Sequence, residues 1–197
     1  VPADLQSDGV AVRAVMGREI GRYAANRLGV ESMAEYLGKN AVPAVEGVDT
    51  RTIAEIVVRR GAVRAAVGTG KYADPAALAK KLADAAPFQP VMTGCTAPYD
   101  WKEGLEGSPK FTVTVYELGV KRGLLRRLAG MGCAVRVVPS GFSAADVLAG
   151  KPDGVVFSGG AGAPDARKDA IAAAAALAGK TAVWGVGLGA GVVAEAL

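Results

Sequence analysis

The chain has 197 residues, 51% of them hydrophobic and 21% charged, with a formal net charge of +4. This suits one large or two small globular domains with a real core. The chain has no histidine, which excludes a Ser-His or Cys-His catalytic pair built within it and any histidine metal site.

No apolar stretch is long enough to span a bilayer, and no charged leader precedes an apolar run and cleavage site. Two cysteines, Cys95 and Cys133, occur without CxxC spacing, so a reduced, cytoplasmic protein without a metal or cofactor is expected. The first residue is Val1 rather than Met, which leads to the expectation of a missing native N-terminus. The densest basic pairs, Arg59-Arg60, Lys80-Lys81 and Arg126-Arg127, fall in helix-like segments and read as solvated faces, so no nucleic-acid partner is expected.

The first part reads as mixed α/β. Residues around Val10 and Val12 suggest a short strand, then an irregular stretch to about Gly29, and Glu31 to Leu37 a short helix. The segment 42–51 leads into a second helix with Ile53, Ile56 and Val57 on one face. Thr52 and Glu55 have capping-box spacing there, with Asp49 or Thr50 as other caps. A third helix is expected from Pro75 to about Ala85, on the spacing of Leu78, Leu82 and Ala85. Residues 87–110 carry Pro87, Pro90, Pro98 and Pro109 and read as a domain linker with short extended pieces, Trp101 packing at the joint.

From Phe111 the pattern is regular. Strands are expected at Phe111 to Tyr116, Ala134 to Val138, Gly154 to Ser158 and Thr181 to Trp184. Helices are expected at Lys121 to Met131 (Leu124, Leu125 and Leu128 inward), Ser143 to Ala149 and Asp165 to Ala178, with a last helical piece after residue 191. Strands alternating with helices across short connections argue for a parallel sheet with right-handed crossovers, its short apolar strands covered on both faces. The domains are therefore expected at 1–86 and 111–197, joined by 87–110.

Ligands of open parallel sheets bind beyond the carboxyl ends of the strands. Two glycine-rich loops leave such ends. Ser158-Gly-Gly-Ala-Gly-Ala-Pro164 can turn backbone N–H groups toward an anion, or can be a plain tight connection. Gly185-Val-Gly-Leu-Gly189 has small residues two before and two after Gly187, as in a sharp strand-to-helix turn that lifts a nucleophile above the sheet. Here the central residue is glycine, which has no reactive group. Gly185, Gly187 and Ala190 also match a dinucleotide fingerprint, but the chain ends at Leu197 before a strand that would carry a ribose-binding acid. Gly68-Thr-Gly-Lys71 fails as a phosphate-binding P-loop, because Ala65 and Tyr72 stand where glycine and Ser or Thr are needed.

Three stretches in this order resemble the small subunit of carbamoyl phosphate synthetase. Val42-Pro-Ala-Val-Glu-Gly-Val-Asp-Thr-Arg51 is similar to its "PxxxGxDTR" segment. Val115-Tyr-Glu-Leu-Gly-Val-Lys-Arg122 is similar to its "YDxGxKxN" strand-to-helix entry, with Glu117 for Asp and Gly123 for Asn. Pro152-Asp-Gly-Val-Val-Phe-Ser-Gly-Gly-Ala-Gly-Ala-Pro164 is similar to "PDGxxxSNGPGDP". The resemblance covers almost the whole chain. It implies a partial N-terminal small-subunit domain followed by part of a flavodoxin-like class I glutamine amidotransferase domain, in a family that hydrolyses glutamine and passes ammonia to a large synthetase subunit for arginine or pyrimidine synthesis.

Carried over by position, the backbones of Gly160 and Gly162 face glutamine and the Leu188 N–H helps form the oxyanion hole. The family's "GxCxGHQ" appears as Gly185-Val-Gly-Leu-Gly-Ala-Gly191, so Gly187, Ala190 and Gly191 stand at the nucleophile, His and Gln positions, and Gly159 and Ala163 replace Asn and Asp. About half of the amidotransferase sheet, with the catalytic His and Glu, is expected to be missing. The expectation is therefore a truncated, glutaminase-inactive relative that docks to the large subunit, glutamine being only a degenerate ligand. A small-molecule, anion or dinucleotide module built on the glycine loops is the alternative, and a fragment without function of its own is the third.

Overall fold

The structure, a computed structural model, describes residues 5–7, 9–25, 27, 29–61, 63–85 and 94–197. The chain divides into two compact units, Val1–Gln89 and Pro90–Leu197.

The first unit holds β1 (Val15–Met16), α1 (Met33–Lys39), β2 (Ala44–Val45), α2 (Thr50–Arg60) and α3 (Pro75–Asp84). The strand expected around Val10 and Val12 lies instead at β1, parallel to β2. Pairing decides the position, since Val15 and Gly17 donate to the carbonyls of Pro43 and Val45 at 2.9 and 3.0 Å. Helix α1 starts two residues later than expected because Ser32 caps it. The Ser32 Oγ accepts from the Glu35 N–H at 3.1 Å, and the Glu35 carboxylate accepts from the Ser32 N–H at 2.8 Å.

Asp49, rather than Thr52, caps α2, its Oδ1 accepting from the Thr52 N–H at 3.0 Å. Asp74 caps α3 in the same way, followed by Pro75 at the first helical position. Of the face expected to be buried on α2, Ile53 is half-buried, while Ile56 and Val57 are 39% and 41% exposed. Leu37 is the single buried hydrophobic residue among the described residues of this unit, so local caps and short pairings carry much of its order.

The second unit contains β3 (Tyr99–Trp101), β4 (Phe111–Glu117), α4 (Arg122–Gly130), β5 (Cys133–Pro139), α5 (Ala144–Ala149), β6 (Gly154–Phe157), α6 (Lys168–Leu177), β7 (Ala182–Gly185) and α7 (Leu188–Ala196). The sheet order is β3-β5-β4-β6-β7, parallel throughout except for the antiparallel edge strand β3. Residues 99–101, expected within a linker, are thus part of the sheet, with Trp101 opposite Val135. Proline spacing concealed this strand, because three residues are too few to show alternation. Pro87 and Pro90 lie outside the described residues. The helix expected from Asp165 opens as a 3-10 turn, Pro164–Ala166, and is α-helical only from Lys168.

Successive strand residues point to opposite faces, and each face has its own core. On one, Leu125 and Leu128 of α4 pack with Val115, Val135, Val137 and Val156. On the other, α5, α6 and α7 cover Tyr116, Val138, Val155 and Phe157. Tyr116 and Phe157 stack at 4.6 Å between centroids, and the Tyr116 hydroxyl donates to the Phe142 carbonyl at 3.0 Å. Burial pushes that hydroxyl up to about 12. The chain leaves β4 toward β5 on one side and β6 toward β7 on the other, so the topological switch point lies between the carboxyl ends of β4 and β6.

Near the opposite end of the sheet, the Asp153 carboxylate accepts from the Thr112 N–H at 2.7 Å and from its hydroxyl at 3.0 Å. These bonds hold its pKa below the ordinary 3.8.

Two measurements check this account. Leu125→Ala is expected to lower stability by about 2–5 kcal/mol in urea unfolding, the cost of a cavity in a fully buried site. The depressed Asp153 pKa contributes stability above its unfolded value, which is lost as pH falls through the folded one. Asp153→Asn is therefore expected to be less stable than the parent near neutral pH, and the gap to close below about pH 4.

Candidate functional site at the switch point

The loops leaving β4 and β6 meet through their backbones. The Ser158 side chain, fully buried, accepts from the Leu118 N–H at 2.9 Å and donates to the Gly159 carbonyl at 3.1 Å. A Cβ at Gly160 would lie 1.8 Å from the Leu118 carbonyl oxygen, and one at Gly119, whose φ is +124°, would lie 3.0 Å from the Gly160 Cα. Glycine is the residue that lets these two strand ends close.

The turn from β7 into α7 is built in the same way. Gly187 has φ +56° and ψ −118° and stands at the N-cap of α7. A Cβ at Gly185 would lie 2.4 Å from the Gly189 carbonyl oxygen, and one at Gly189 would lie 2.0 Å from that of Phe157. The Val186 N–H donates to Phe157 at 2.9 Å, the Gly189 N–H to Ser158 at 3.1 Å and the Ala190 N–H to Gly187 at 3.0 Å. This is the sharp strand-to-helix turn expected from the sequence, with small residues two before and two after its tip.

At the tip itself there is space. A Cβ on Gly187 would have its nearest neighbour, the Gly159 Cα, at 3.6 Å, an ordinary contact. Space therefore does not exclude a side chain at Gly187, although φ +56° would strain any other residue.

The structure brings three of the four residues singled out from the sequence into one place. A Cβ on Gly160 would be 3.1 Å from the Leu188 Cδ2, and Gly187 abuts Gly159. Leu188 is 9% exposed, its side chain in the core. Its N–H, at the first position of α7, is one of those that a helix leaves without an intrahelical partner. Gly162, with φ +100°, has Arg167 as its neighbour, a Cβ there lying 3.8 Å from the guanidinium Nη2. Gly191 is tied to the same loop, since a Cβ would fall 2.4 Å from the Pro164 Cγ.

Sequence reasoning did not assign three residues to the site. Leu118 and Gly119 wall the site, and only the fold shows it. Arg167, 8% exposed, donates from Nη2 to the Ala161 carbonyl at 2.8 Å, and nothing in its sequence context marked it.

Both cysteine thiols have raised pKa values. Burial, with the Glu117 carboxylate beside it, pushes the Cys95 thiol up to about 12, so the thiolate is scarce near neutral pH. Cys133 is buried and its pKa is also raised, by burial first. Among the described residues no group of three His, Cys, Asp or Glu could hold a metal ion, and no helix is long and apolar enough to cross a membrane. A groove of about 680 Å³ opens along β3, β4, β5 and α5 beside Asp100, Arg136 and Asp146, and none of its lining residues belongs to the glycine loops.

Two family models match the chain. Residues 114–197 match glutamine amidotransferase class-I, and residues 1–67 match the carbamoyl-phosphate synthase small chain, CPSase domain. With its sheet order and strand-to-helix turn, the second unit is of the class I glutamine amidotransferase kind. Relatives named carbamoyl phosphate synthase small chain match across both units. That of Syntrophotalea carbinolica is 31% identical over 100% of this chain and 56% of its own length. That of Thermosynechococcus vestitus is 33% identical over 95% and 53%, and that of Ralstonia nicotianae 34% over 86% and 48%. The protein is a carbamoyl phosphate synthase small-chain-like protein, and the chain spans about half the length of the curated relatives it matches.

The close approaches at the glycines can be tested directly. Gly160→Ala and Gly189→Ala are each expected to lose about 1–3 kcal/mol of stability in denaturant titrations, the cost of overpacking. Gly130 in α4 has open space around its Cβ position, and Gly130→Ala is expected to gain roughly 0.5–1 kcal/mol instead.

Proposed function

We propose that this chain is a catalytically silent relative of the carbamoyl phosphate synthase small chain, which keeps the backbone cradle of a glutamine site and acts by docking to a large synthase subunit. The observation that carries this reading is Gly187. The turn around it is intact, with close backbone approaches at Gly185 and Gly189, yet its tip carries a hydrogen atom in place of a side chain.

Hydrolysis of an amide needs a nucleophile, a base to activate it and donors to stabilise the oxyanion. Only donors remain, the backbone N–H groups of Leu188 and of the loop bearing Gly160 and Gly162. Ala190 and Gly191 follow where the resemblance implies His and Gln, and no histidine is present to serve as base. Removing one member of such a set costs orders of magnitude in rate, and here the side-chain members at this turn are all absent. The large subunit would then draw on free ammonia, in arginine or pyrimidine synthesis and in the cytoplasm. Glutamine would bind this chain only as a degenerate ligand.

The second reading, a small-molecule module, is favoured by the same glycine loops converging at the switch point, where open sheets bind ligands. The two readings differ in partner, and so does the test. On incubation with glutamine the purified chain is expected to release no glutamate above a protein-free control, and to co-elute from a sizing column with a carbamoyl phosphate synthase large subunit. Glutamate release above control removes catalytic silence. A well-behaved monomer that fails to co-elute removes the docking role and favours the ligand-binding reading.

A further inference from the structure

Arg167 stands where a cation is costly. It is the N-cap residue of α6, a position that favours Ser, Thr, Asp or Asn, and its side chain makes no capping bond. It sits at the positive end of the helix dipole, and the residue as a whole is 8% exposed. Its backbone is already fixed without the side chain, through its N–H to the Pro164 carbonyl at 2.8 Å and its carbonyl to the Ile171 N–H at 2.9 Å. The guanidinium is directed back over the glycine loop, to the Ala161 carbonyl at 2.8 Å.

The bond has a geometric consequence. A trans peptide is planar, so the carbonyl of residue 161 and the N–H of residue 162 point in opposite directions. This peptide joins Ala161 to Gly162, and on the glycine side it has few steric limits, since glycine at φ +100° can be left by rotation at little cost. Holding the Ala161 oxygen therefore decides which way the Gly162 N–H faces.

We propose that Arg167 is a positioning residue for the glycine loop. By gripping the Ala161 carbonyl it turns the Gly162 N–H away from the guanidinium, where it can donate to an amide or carboxylate oxygen of an amino-acid ligand. The inference rests on the reading of the loops as a ligand cradle, and it adds a side chain that the resemblance did not supply. A charge-assisted bond suits this task, being stronger and more directional than a neutral one.

The test uses the full chain, isotopically labelled, with glutamine as the probe. Residual dipolar couplings are expected to report one orientation for the Gly162 N–H in the parent, and a scalar coupling across the hydrogen bond is expected between the Arg167 guanidinium and the Ala161 carbonyl. In Arg167→Ala the Gly162 coupling is expected to collapse toward zero while the amides of α6 and α7 keep theirs, and glutamine affinity to fall roughly tenfold, what one charge-assisted bond is worth. Arg167→Lys, which can still donate one bond, is expected to recover part of both.

An unchanged Gly162 orientation in Arg167→Ala, with glutamine still shifting the Gly160, Gly162 and Leu188 amides, overturns the role of Arg167 alone. If glutamine shifts none of these amides in the parent, the cradle reading fails and the presentation role falls with it. Should Arg167→Ala not fold, the coupling across the hydrogen bond in the parent and the Arg167→Lys orientation decide the matter, and absence of that coupling is an overturning result.

Discussion

The second unit depends on backbone meeting backbone at the carboxyl ends of its strands. Gly160 lies against the Leu118 carbonyl and Gly189 against that of Phe157, at distances where no Cβ fits. These two approaches join the loops after β4, β6 and β7 into one knot, cross-tied by the buried Ser158 hydroxyl. Close contact of main chains leaves no room for side-chain variation, so the glycines are structural before they are functional. Any ligand at the switch point would meet a surface of peptide groups.

That constraint makes the shape of the strand-to-helix turn independent of the side chain at its tip. The turn at Gly187 is held by Gly185, Gly189 and three backbone hydrogen bonds, none of which involves the tip residue's side chain. A change of the tip side chain therefore leaves the geometry in place. At the tip, glycine also relieves the strain that a side-chain-bearing residue would feel at φ +56°. The neighbouring loop shows the reverse case. There a glycine at φ +100° follows Ala161, and the Arg167 guanidinium donates to the Ala161 carbonyl.

The first unit is ordered by other means. Ser32, Asp49 and Asp74 each accept a bond from a free helical N–H. Neither α2 nor α3 buries a residue. Exposed apolar side chains remain on α2, Val58 among them at 85%, beside Arg59 and Arg60. The chain is thus uneven, with one unit built on a two-faced core and the other on caps and short pairings.

Much of this was legible from residue order alone. The helices α3 and α4 and the four parallel strands follow from hydrophobic spacing, because helices and strands repeat with different periods. Small residues around positions 187 and 160 marked the turn and the loop, because only small residues permit such turns. The absence of histidine, a fact of composition, excluded a Ser-His or Cys-His pair built within this chain without any coordinates. Tertiary structure decided the rest. It paired Val15 with Ala44 rather than placing a strand at Val10, and placed Tyr99–Trp101 on the edge of the sheet, because two- and three-residue strands exist only through their partners. It set Leu118 against Gly160 and Arg167 over Ala161, since such contacts arise between segments whose approach no local pattern encodes.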